Sequence, residues 1–306
     1  MAVFLSSEKI SEVAELLAKD ELVAFPTETV YGLGGNAYSD NAVAKIFACK
    51  HRSEFNPLSV CYSSFEKASA DVIITKYASI IAEKFLPGSI TLLLKRKKNS
   101  RLSMLCSAGL DTIGIRIPSN EIALSILSKL AFPLAAPSAN SSGQLSHTTA
   151  KEVAEDLKNI TILDGGKCNI GIESTIIDCS GEKLVITRQG VISTEEIIEK
   201  CGINRELILF SEKPKKFSFT KKILLNTQSS EIVGKNDALL AFGPSLSVNC
   251  KYVLNLSPSK NLNEATANFF SMLKTLENSD VEKICVMPIP NISLGQAINK
   301  RLKSLL

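Results

Sequence analysis

Short polar motifs that carry cations, hydroxyl groups and amides recur in the N-terminal part of the chain. Each motif lies at the end of a predicted strand or in the turn that follows, where binding groups commonly sit. They are Thr27-Glu28-Thr29, Lys50-His51-Arg52, Asn56-Pro57-Leu58, Thr112 with Arg116, Pro137-Ser138-Ala139-Asn140, residues 171–175, and Arg188. Arginine and lysine bind phosphates and carboxylates through short, charge-assisted hydrogen bonds. The set therefore predicts a site for anionic ligands.

Most of these residues also have an ordinary structural interpretation. Lys50 and Arg52 suit a solvated helix end, and Ser138 and Asn140 suit a turn after a proline. Arg116 is different, because it lies between two isoleucines in a predicted strand, where an unpaired charge would be costly. Arg116 therefore favours a binding site more strongly than the others do.

Other chemistries fit the sequence poorly. Residues 32–37 match a G-x-G-x-x-A pattern, but residues 26–31 separate it from the preceding predicted strand, which argues against a dinucleotide fold. His51 and His147 are the only histidines, and neither belongs to a recognisable serine or cysteine nucleophile motif. Transfer of a nucleotidyl group by positioning and charge stabilisation is the simpler interpretation.

The composition is that of an ordinary globular protein, with 45% apolar and 22% charged residues. No apolar run approaches the about 20 residues of a membrane-spanning helix, and the N-terminus shows no secretory signal. We therefore expect a cytoplasmic protein without a membrane segment. The eight cysteines are scattered without C-x-x-C spacing, which predicts reduced, mostly buried thiols and no metal site.

The net charge of +4 is too small to indicate a nucleic-acid partner by itself. Two runs are locally basic, namely residues 95–98 with Arg101, and residues 213–222. Solvated surface is the favoured interpretation of both runs, and phosphate binding is the alternative.

Apolar periodicity alternates between helical and extended segments, which predicts an α/β fold of mixed connectivity. Strands are predicted near residues 22–25, 58–61, 90–94, 113–117, 134–136, 174–178 and 184–187. The length of 306 residues favours two domains. We predict a catalytic domain over 1–205, a linker over 206–235 with a short strand near 223–225, and a small α/β domain over 236–306 in β-β-α-β-α order.

Several motifs together resemble the YrdC-like threonylcarbamoyl-AMP synthase family. They are residues 24–34, Lys50-x-Arg52, Ser138-x-Asn140 and residues 171–175, and residues 255–302 are similar to the C-terminal domain of its two-domain members. The resemblance implies a twisted mixed sheet with a concave basic cavity, joined to a smaller Rossmann-like α/β domain.

The resemblance also implies an activity. Such a nucleotidyltransferase joins L-threonine, bicarbonate or CO2, and ATP into L-threonylcarbamoyladenylate and pyrophosphate, with Mg²⁺ shielding the phosphates. A downstream transferase then passes the threonylcarbamoyl group to an adenosine of tRNA. Binding of tRNA or of double-stranded RNA is a further expectation.

Residue roles follow from the resemblance, position by position. The catalytic set would be Lys50, Arg52, Ser138 and Asn140. The residues that contact ATP would be Lys50, Arg52, Asn56, Thr112, Ser138, Asn140, Ser146 and Arg188. The residues that hold threonine would be Thr29, Cys61, Arg116, Ala136 and Ser174, with Ala136 acting through its backbone.

The chain departs from the family pattern at three places. Cys61 stands where the family usually has a histidine near threonine, and Gln189 stands in place of a proline. The tyrosine-rich linker motif that closes over the nucleotide is absent from residues 207–222. These departures bear on threonine handling and on lid closure.

Two rival functions remain. One is a nucleic-acid-binding protein of the same fold with little or no synthase activity, and the other is a regulatory module that senses ATP or an amino acid. Phosphate binding alone would give salt-sensitive, sequence-independent affinity, whereas a synthase releases pyrophosphate only when threonine is present.

Overall fold

The computed structural model describes residues 2–52, 56–211, 219–292, 294–303 and 305–306. The chain divides into two compact units. The first unit comprises Met1–Ser142, Ser146–Cys168 and Glu173–Lys213, and the second comprises Gly143–Leu145, Asn169–Ile172 and Pro214–Leu306.

The first unit is built on a mixed sheet. Its strands are β1 (Val3–Ser6), β2 (Val23–Phe25), β3 (Gly32–Asn36), β4 (Ser59–Cys61), β5 (Ile90–Lys95), β6 (Thr112–Arg116), β7 (Leu134–Ala135), β8 (Thr161–Asp164), β9 (Thr175–Asp178), β10 (Leu184–Arg188) and β11 (Ile208–Phe210). They are ordered β1-β8-β2-β3-β7-β4-β6-β5-β9-β10-β11. The sheet contains parallel pairs such as β4/β6 and antiparallel pairs such as β5/β6, which confirms the predicted mixed α/β class.

Helices cover both faces of this sheet. They are α1 (Ile10–Ala18), α2 (Asp40–Lys50), α3 (Phe65–Ala68), α4 (Lys76–Phe85), α5 (Glu121–Lys129), α6 (Ala150–Asp156) and α7 (Thr194–Cys201). One apolar cluster contains Ala24 of β2 with residues of α2 and α4, whereas a second contains Val23 and Phe25 with residues of α1 and α5. Because successive residues of a strand point to opposite faces, the sheet lies between two helical layers.

The glycine-rich segment 32–36 forms strand β3, which the sequence analysis did not predict. Glycine is depleted in strands, so propensity gives no signal there. The structure supplies the reason, because a Cβ atom on Gly34 would lie 2.7 Å from Cε1 of Phe25. The segment is therefore a close-packed strand and does not open a helix, in agreement with the rejection of a dinucleotide motif.

The second unit has its own parallel sheet. Its strands are β12 (Lys222–Leu224), β13 (Ala238–Ala241), β14 (Tyr252–Asn255) and β15 (Lys283–Val286), in the order β12-β15-β13-β14. Its helices are α8 (Leu262–Glu277) and α9 (Leu294–Lys303). After residue 236 these elements follow the β-β-α-β-α order expected from the sequence.

The segment predicted as a linker, 206–235, carries structure at both ends. Strand β11 pairs with β10 of the first sheet, and β12, near the predicted position, pairs with β15 of the second. Residues 212–218, which include part of the basic run 213–222 and of the segment 207–222 that lacks the tyrosine-rich motif, lie outside the described residues.

All eight cysteines are free thiols, five of them buried, as the sequence predicted. Across the described ranges, every helix is too short or too polar to cross a membrane.

The carboxylate of Asp156, the last residue of α6, fastens two loops to each other. It accepts hydrogen bonds from the backbone amide of Ser141 at 2.8 Å and the Ser141 hydroxyl at 2.6 Å, and it contacts Nε2 of the buried His147 at 2.7 Å. The carbonyl oxygen of His147 in turn accepts a bond from the amide of Tyr31 at 2.9 Å. Asp156 thus holds the polar loop after β7 and the loop before β3.

Replacing this carboxylate by an amide, Asp156→Asn, should lower the free energy of unfolding by about 2 kcal/mol at pH 7, because charge-assisted bonds are lost. Burial alone would raise the pKa of Asp156, but the bonds from His147 and Ser141 hold it well below its usual range. A depressed folded-state pKa contributes stability above about pH 4 that is lost as the pH falls through the folded-state pKa. The difference in the free energy of unfolding between the parent protein and Asp156→Asn, measured by urea unfolding, should therefore shrink below about pH 4.

Asp111→Asn is the matched control, because Asp111 is exposed and should change stability by less than about 0.5 kcal/mol. Equal stability of Asp156→Asn and the parent protein at pH 7 would contradict the fastening role.

Candidate functional site

Lys50 ends helix α2 and turns inward. Its side chain is only 1% exposed, and its ammonium group donates to the carbonyl oxygen of Ser138 at 2.5 Å and to that of Asn140. Its own carbonyl oxygen accepts a bond from the amide of Ser142 at 2.7 Å. The interpretation of Lys50 as a solvated helix end is therefore wrong, because the lysine is enclosed by the Ser138–Ser142 loop.

Helix α2 places the next cation as well. His51 adopts a left-handed conformation, with φ of 49°, which ends the helix and turns the chain toward Arg52. The guanidinium of Arg52 donates from Nε to the carbonyl oxygen of Asn56 at 2.8 Å and from Nη2 to Oδ1 of Asn56 at 2.6 Å and the carbonyl oxygen of Pro57 at 2.7 Å. Burial lowers its pKa to about 10, so Arg52 stays charged at neutral pH.

Among the described residues, which do not include 53–55, the hydrogen-bond acceptors of Arg52 are uncharged oxygen atoms. A partly desolvated cation whose acceptors are uncharged attracts an anion more strongly than one paired with a carboxylate does. Together with Lys50, Arg52 gives this end of the site the chemistry of a phosphate receptor.

A second cluster begins at the turn after β2. The hydroxyl of Thr27 accepts bonds from the amides of Thr29 and Val30, each at 3.2 Å, and donates to the carbonyl oxygen of Val30 at 2.6 Å. These local bonds fold the turn and set the fully buried Thr29 against Arg116, whose Nη2 donates to the Thr29 hydroxyl at 2.7 Å.

Arg116 ends β6, beside Cys61 in the register of β4 and β6. Its Nη2 lies 2.6 Å from Oε1 of Glu28, in a buried ion pair. Burial disfavours both charges, but the pairing lowers the pKa of Glu28 and raises that of Arg116, so both stay ionised. Nε of Arg116 is buried and finds no acceptor among the described residues. An unmet buried donor costs about 1–3 kcal/mol, so this atom indicates a missing ligand acceptor.

Burial raises the pKa of the Cys61 thiol to about 11. Cys61 is 2% exposed, and at neutral pH it is a neutral, protonated group beside the Arg116 strand. A thiol in this state offers packing and a weak hydrogen bond, and it cannot serve as a base or a nucleophile.

A third cluster joins β9 and β10. Arg188 donates from Nε to the carbonyl oxygen of Ser174 at 2.9 Å and from Nη2 to its hydroxyl at 3.0 Å. The Ser174 hydroxyl is also 2.8 Å from the hydroxyl of Thr91 on β5. Ser174 is thereby held by residues of β5 and β10, the two strands that flank β9.

Short bonds connect the three clusters into one continuous site. Leu33 donates its amide to the carbonyl oxygen of Pro137 at 2.8 Å, and Ala139 donates to that of Tyr31 at 2.7 Å, which joins the Lys50 loop to the Thr27 turn. Ser89 joins the second cluster to the third. Its hydroxyl is 3.2 Å from Oε1 of Glu28, and its carbonyl oxygen accepts a hydrogen bond from the amide of Thr175 at 3.1 Å.

The remaining predicted residues lie around these clusters. The buried Ser146 donates to Oε1 of Glu173 at 3.0 Å. The amide of Ala136 donates to the carbonyl oxygen of Ser59 at 2.9 Å. Thr112 begins β6 and is half-buried. The substrate-binding and catalytic assignments of all the predicted site residues stay predictions.

The sequence analysis gave no role to Glu28 or Asp156. Glu28 could have been found from the argument that made Arg116 unusual, since an arginine in an apolar strand needs a counter-charge and Glu28 is the acid within the Thr27-Glu28-Thr29 motif. Asp156 gave no comparable signal, because an acid near the end of a helix is ordinary.

Gly190 allows the third cluster to close. A Cβ atom on Gly190 would lie 2.2 Å from the carbonyl oxygen of Glu173 and 2.5 Å from the amide nitrogen of Thr175. Gly190→Ala must therefore separate β10 from residues 173–175, and it should lower the free energy of unfolding by about 3 kcal/mol in urea titrations.

Gly181→Ala is the matched control, because its Cβ atom would meet nothing nearer than 3.9 Å. If Gly190→Ala and Gly181→Ala were equally stable, the close approach of Gly190 to residues 173–175 would not be needed for stability.

Two family models match the chain. The Sua5/YciO/YrdC model, described as telomere recombination, covers residues 15–190, and a model described as the C-terminal domain of threonylcarbamoyl-AMP synthase covers residues 202–304.

Named relatives agree with these models. A Bacillus subtilis protein named threonylcarbamoyl-AMP synthase is 33% identical over 96% of this chain and 92% of its own length. A Pyrococcus abyssi protein of the same name is 44% identical over 63% of this chain, and the match spans 57% of that protein. The solved structure of P. abyssi Sua5 complexed with L-threonine superposes with a TM-score of 0.88 at 31% identity, covering 99% of this chain and 97% of that one.

Proposed function

Because the chain belongs to the Sua5/YciO/YrdC family, we propose that it is an L-threonylcarbamoyladenylate synthase. It converts L-threonine, bicarbonate or CO2, and ATP into threonylcarbamoyl-AMP and pyrophosphate. One observation carries the proposal most directly. A phosphate-type cluster at Lys50 and Arg52 is continuous with a carboxylate-type cluster at Arg116, where a buried donor lacks an acceptor in the described chain.

The phosphate end accounts for the nucleotidyl transfer. A carbamate oxygen attacks the α-phosphorus of ATP, the bond to the bridging oxygen breaks, and pyrophosphate leaves with the negative charge. Arg52 and Lys50 stabilise that charge, and the Ser138–Ser142 loop that Lys50 holds presents Ser138 and Asn140 to the phosphates. Asn56, Thr112, Ser146 and Arg188 complete the contacts with ATP. No covalent enzyme intermediate is required.

The carboxylate end accounts for the choice of amino acid. Arg116 binds the carboxylate of threonine through the donors that the protein leaves available, with Thr29 beside it. Ser174, Cys61 and the backbone of Ala136 surround the rest of the substrate. The protonated Cys61 contributes contact and shape at the position where the family pattern would place a histidine.

Mg²⁺ enters with ATP as part of the substrate. The donors in the cluster around Lys50 and Arg52 are cations, amides and hydroxyl groups, which fit phosphate oxygens better than a bare metal ion. The described residues form no cluster of three or more histidine, cysteine or acidic side chains that could hold a metal ion.

The product is a mixed anhydride of a carbamic and a phosphoric acid, which is a reactive acyl donor. A separate transferase is therefore the proposed consumer, and an adenosine of tRNA is the proposed acceptor. Recognition of tRNA or double-stranded RNA by this chain belongs to the same proposal.

The nucleic-acid-binding alternative receives less support from the basic run at 95–101. Arg96 donates to the carbonyl oxygen of Leu102 at 2.6 Å, Lys97 donates to that of Ser69 at 2.5 Å, and Arg101 stacks on the ring of Tyr38 at 4.5 Å. These cations stabilise the chain's own loops, so the run is not a row of free phosphate ligands.

Purified protein with ATP, Mg²⁺, L-threonine and bicarbonate should release pyrophosphate and form the adenylate, as followed by a coupled pyrophosphate assay and mass spectrometry. Omission of threonine should abolish release, and serine should support it less well. Arg52→Ala should lower kcat/KM by about 100-fold or more, since a charge-stabilising donor is lost.

Arg101→Ala is the matched control, and it should keep the parent rate because Arg101 stacks on Tyr38 outside the site. If the folded protein released no pyrophosphate but bound RNA with strong salt dependence, the synthase proposal would be wrong and the nucleic-acid-binding alternative would be favoured.

A further inference from the structure

The carboxylate of Glu28 joins three parts of the site. The residue is 7% exposed, so each of its oxygens needs a donor. Oε1 accepts from Nη2 of Arg116 at 2.6 Å and from the hydroxyl of Ser89 at 3.2 Å, and Oε2 accepts from the amide of Ser119 at 3.1 Å. Glu28 is therefore held by Ser89, which precedes β5, by Arg116 at the end of β6, and by Ser119 shortly after β6.

This fixed carboxylate decides which donors Arg116 can offer. Nη2 has two N–H groups, and these go to Glu28 and to the hydroxyl of Thr29. Nε is buried without an acceptor among the described residues. The contacts of Nη2 with Glu28 and Thr29 thus set the orientation of the guanidinium, and Nε stays available to donate to a ligand.

Glu28 is unsuited to proton transfer. Burial alone would raise its pKa, but the charge and hydrogen bond of Arg116 hold the pKa below the usual range. A carboxylate that stays ionised and fully bonded is a poor base for the ammonium group of an amino acid. Its contribution must be orientation and charge.

The charge differs between the two ends of the site. Arg116 is neutralised by Glu28, whereas the acceptors that Arg52 has among the described residues are uncharged. An arginine paired with a carboxylate suits one carboxylate of a zwitterion, and a cation whose described acceptors are uncharged suits a multiply charged phosphate chain.

We propose that Glu28 is a positioning residue that sorts the two anionic substrates. It orients Arg116 toward the carboxylate of the amino acid, and its negative charge keeps the phosphates of ATP from binding at Arg116. This inference rests on the proposed synthase function and adds to it the residue that keeps each anion at its own end.

Kinetics of Glu28→Gln test the proposal. The amide keeps the shape but removes the charge, so KM for threonine should rise about tenfold or more while KM for ATP stays within about twofold. In addition, tripolyphosphate should become a competitive inhibitor against threonine in this variant and should not compete with threonine in the parent enzyme.

Glu28→Asp separates the two parts of the proposal and also serves if Glu28→Gln does not fold. It keeps the charge but shortens the side chain by one methylene group. KM for threonine should rise, and tripolyphosphate should still fail to compete with threonine.

Asp71→Asn is the structural control, because Asp71 is a carboxylate of similar burial that accepts bonds from Tyr38, Tyr62 and Ser100. It should lower the melting temperature and leave both KM values unchanged.

The outcomes distinguish this proposal from the synthase function. If the parent protein makes no adenylate, the function itself fails. If the parent is active but Glu28→Gln keeps the parent KM for threonine, or raises both KM values equally without competition by tripolyphosphate, the sorting role is overturned.

Discussion

Burying the ammonium group of Lys50 is the constraint on which the site depends. A buried cation needs oxygen atoms around it, and here the carbonyl oxygens of Ser138 and Asn140 supply them. The same loop is held from its other side by Asp156. A loop fixed on both sides keeps the side chains of Ser138 and Asn140 in one arrangement, which is what binding a phosphate chain without reorganisation requires.

The cations of the site are handled in different ways. Lys50 is enclosed by backbone oxygens, Arg116 is paired with Glu28, and Arg52 receives uncharged acceptors from the described chain. These differences give the two ends of one continuous site different electrostatic character. A reaction that joins two anions benefits from such a division, because each anion is held where its charge is best compensated while the reacting atoms are brought together.

Much of this arrangement could be predicted from the sequence, for identifiable reasons. Short motifs such as Thr27-Glu28-Thr29 were predicted to lie at an anion site because cations and hydroxyl groups recur at strand ends, although only Thr29 of this motif was given a role. Strand β3 was missed, since its glycines reflect packing against Phe25 and leave no apolar alternation. The environment of Lys50 was also missed, because a lysine at a helix end looks the same in sequence whether it points to solvent or inward. Such features depend on contacts between residues far apart in the chain, which local patterns do not contain.

In the proposed function, ATP and threonine occupy adjoining parts of one site together. The most direct measurement is calorimetric titration of L-threonine into the protein, with and without a saturating non-hydrolysable ATP analogue and Mg²⁺. Threonine should bind the nucleotide-loaded protein with equal or higher affinity, at about one molecule per chain. Loss of threonine binding in the presence of the analogue would contradict this proposal, because the two ligands would then compete for the same cations.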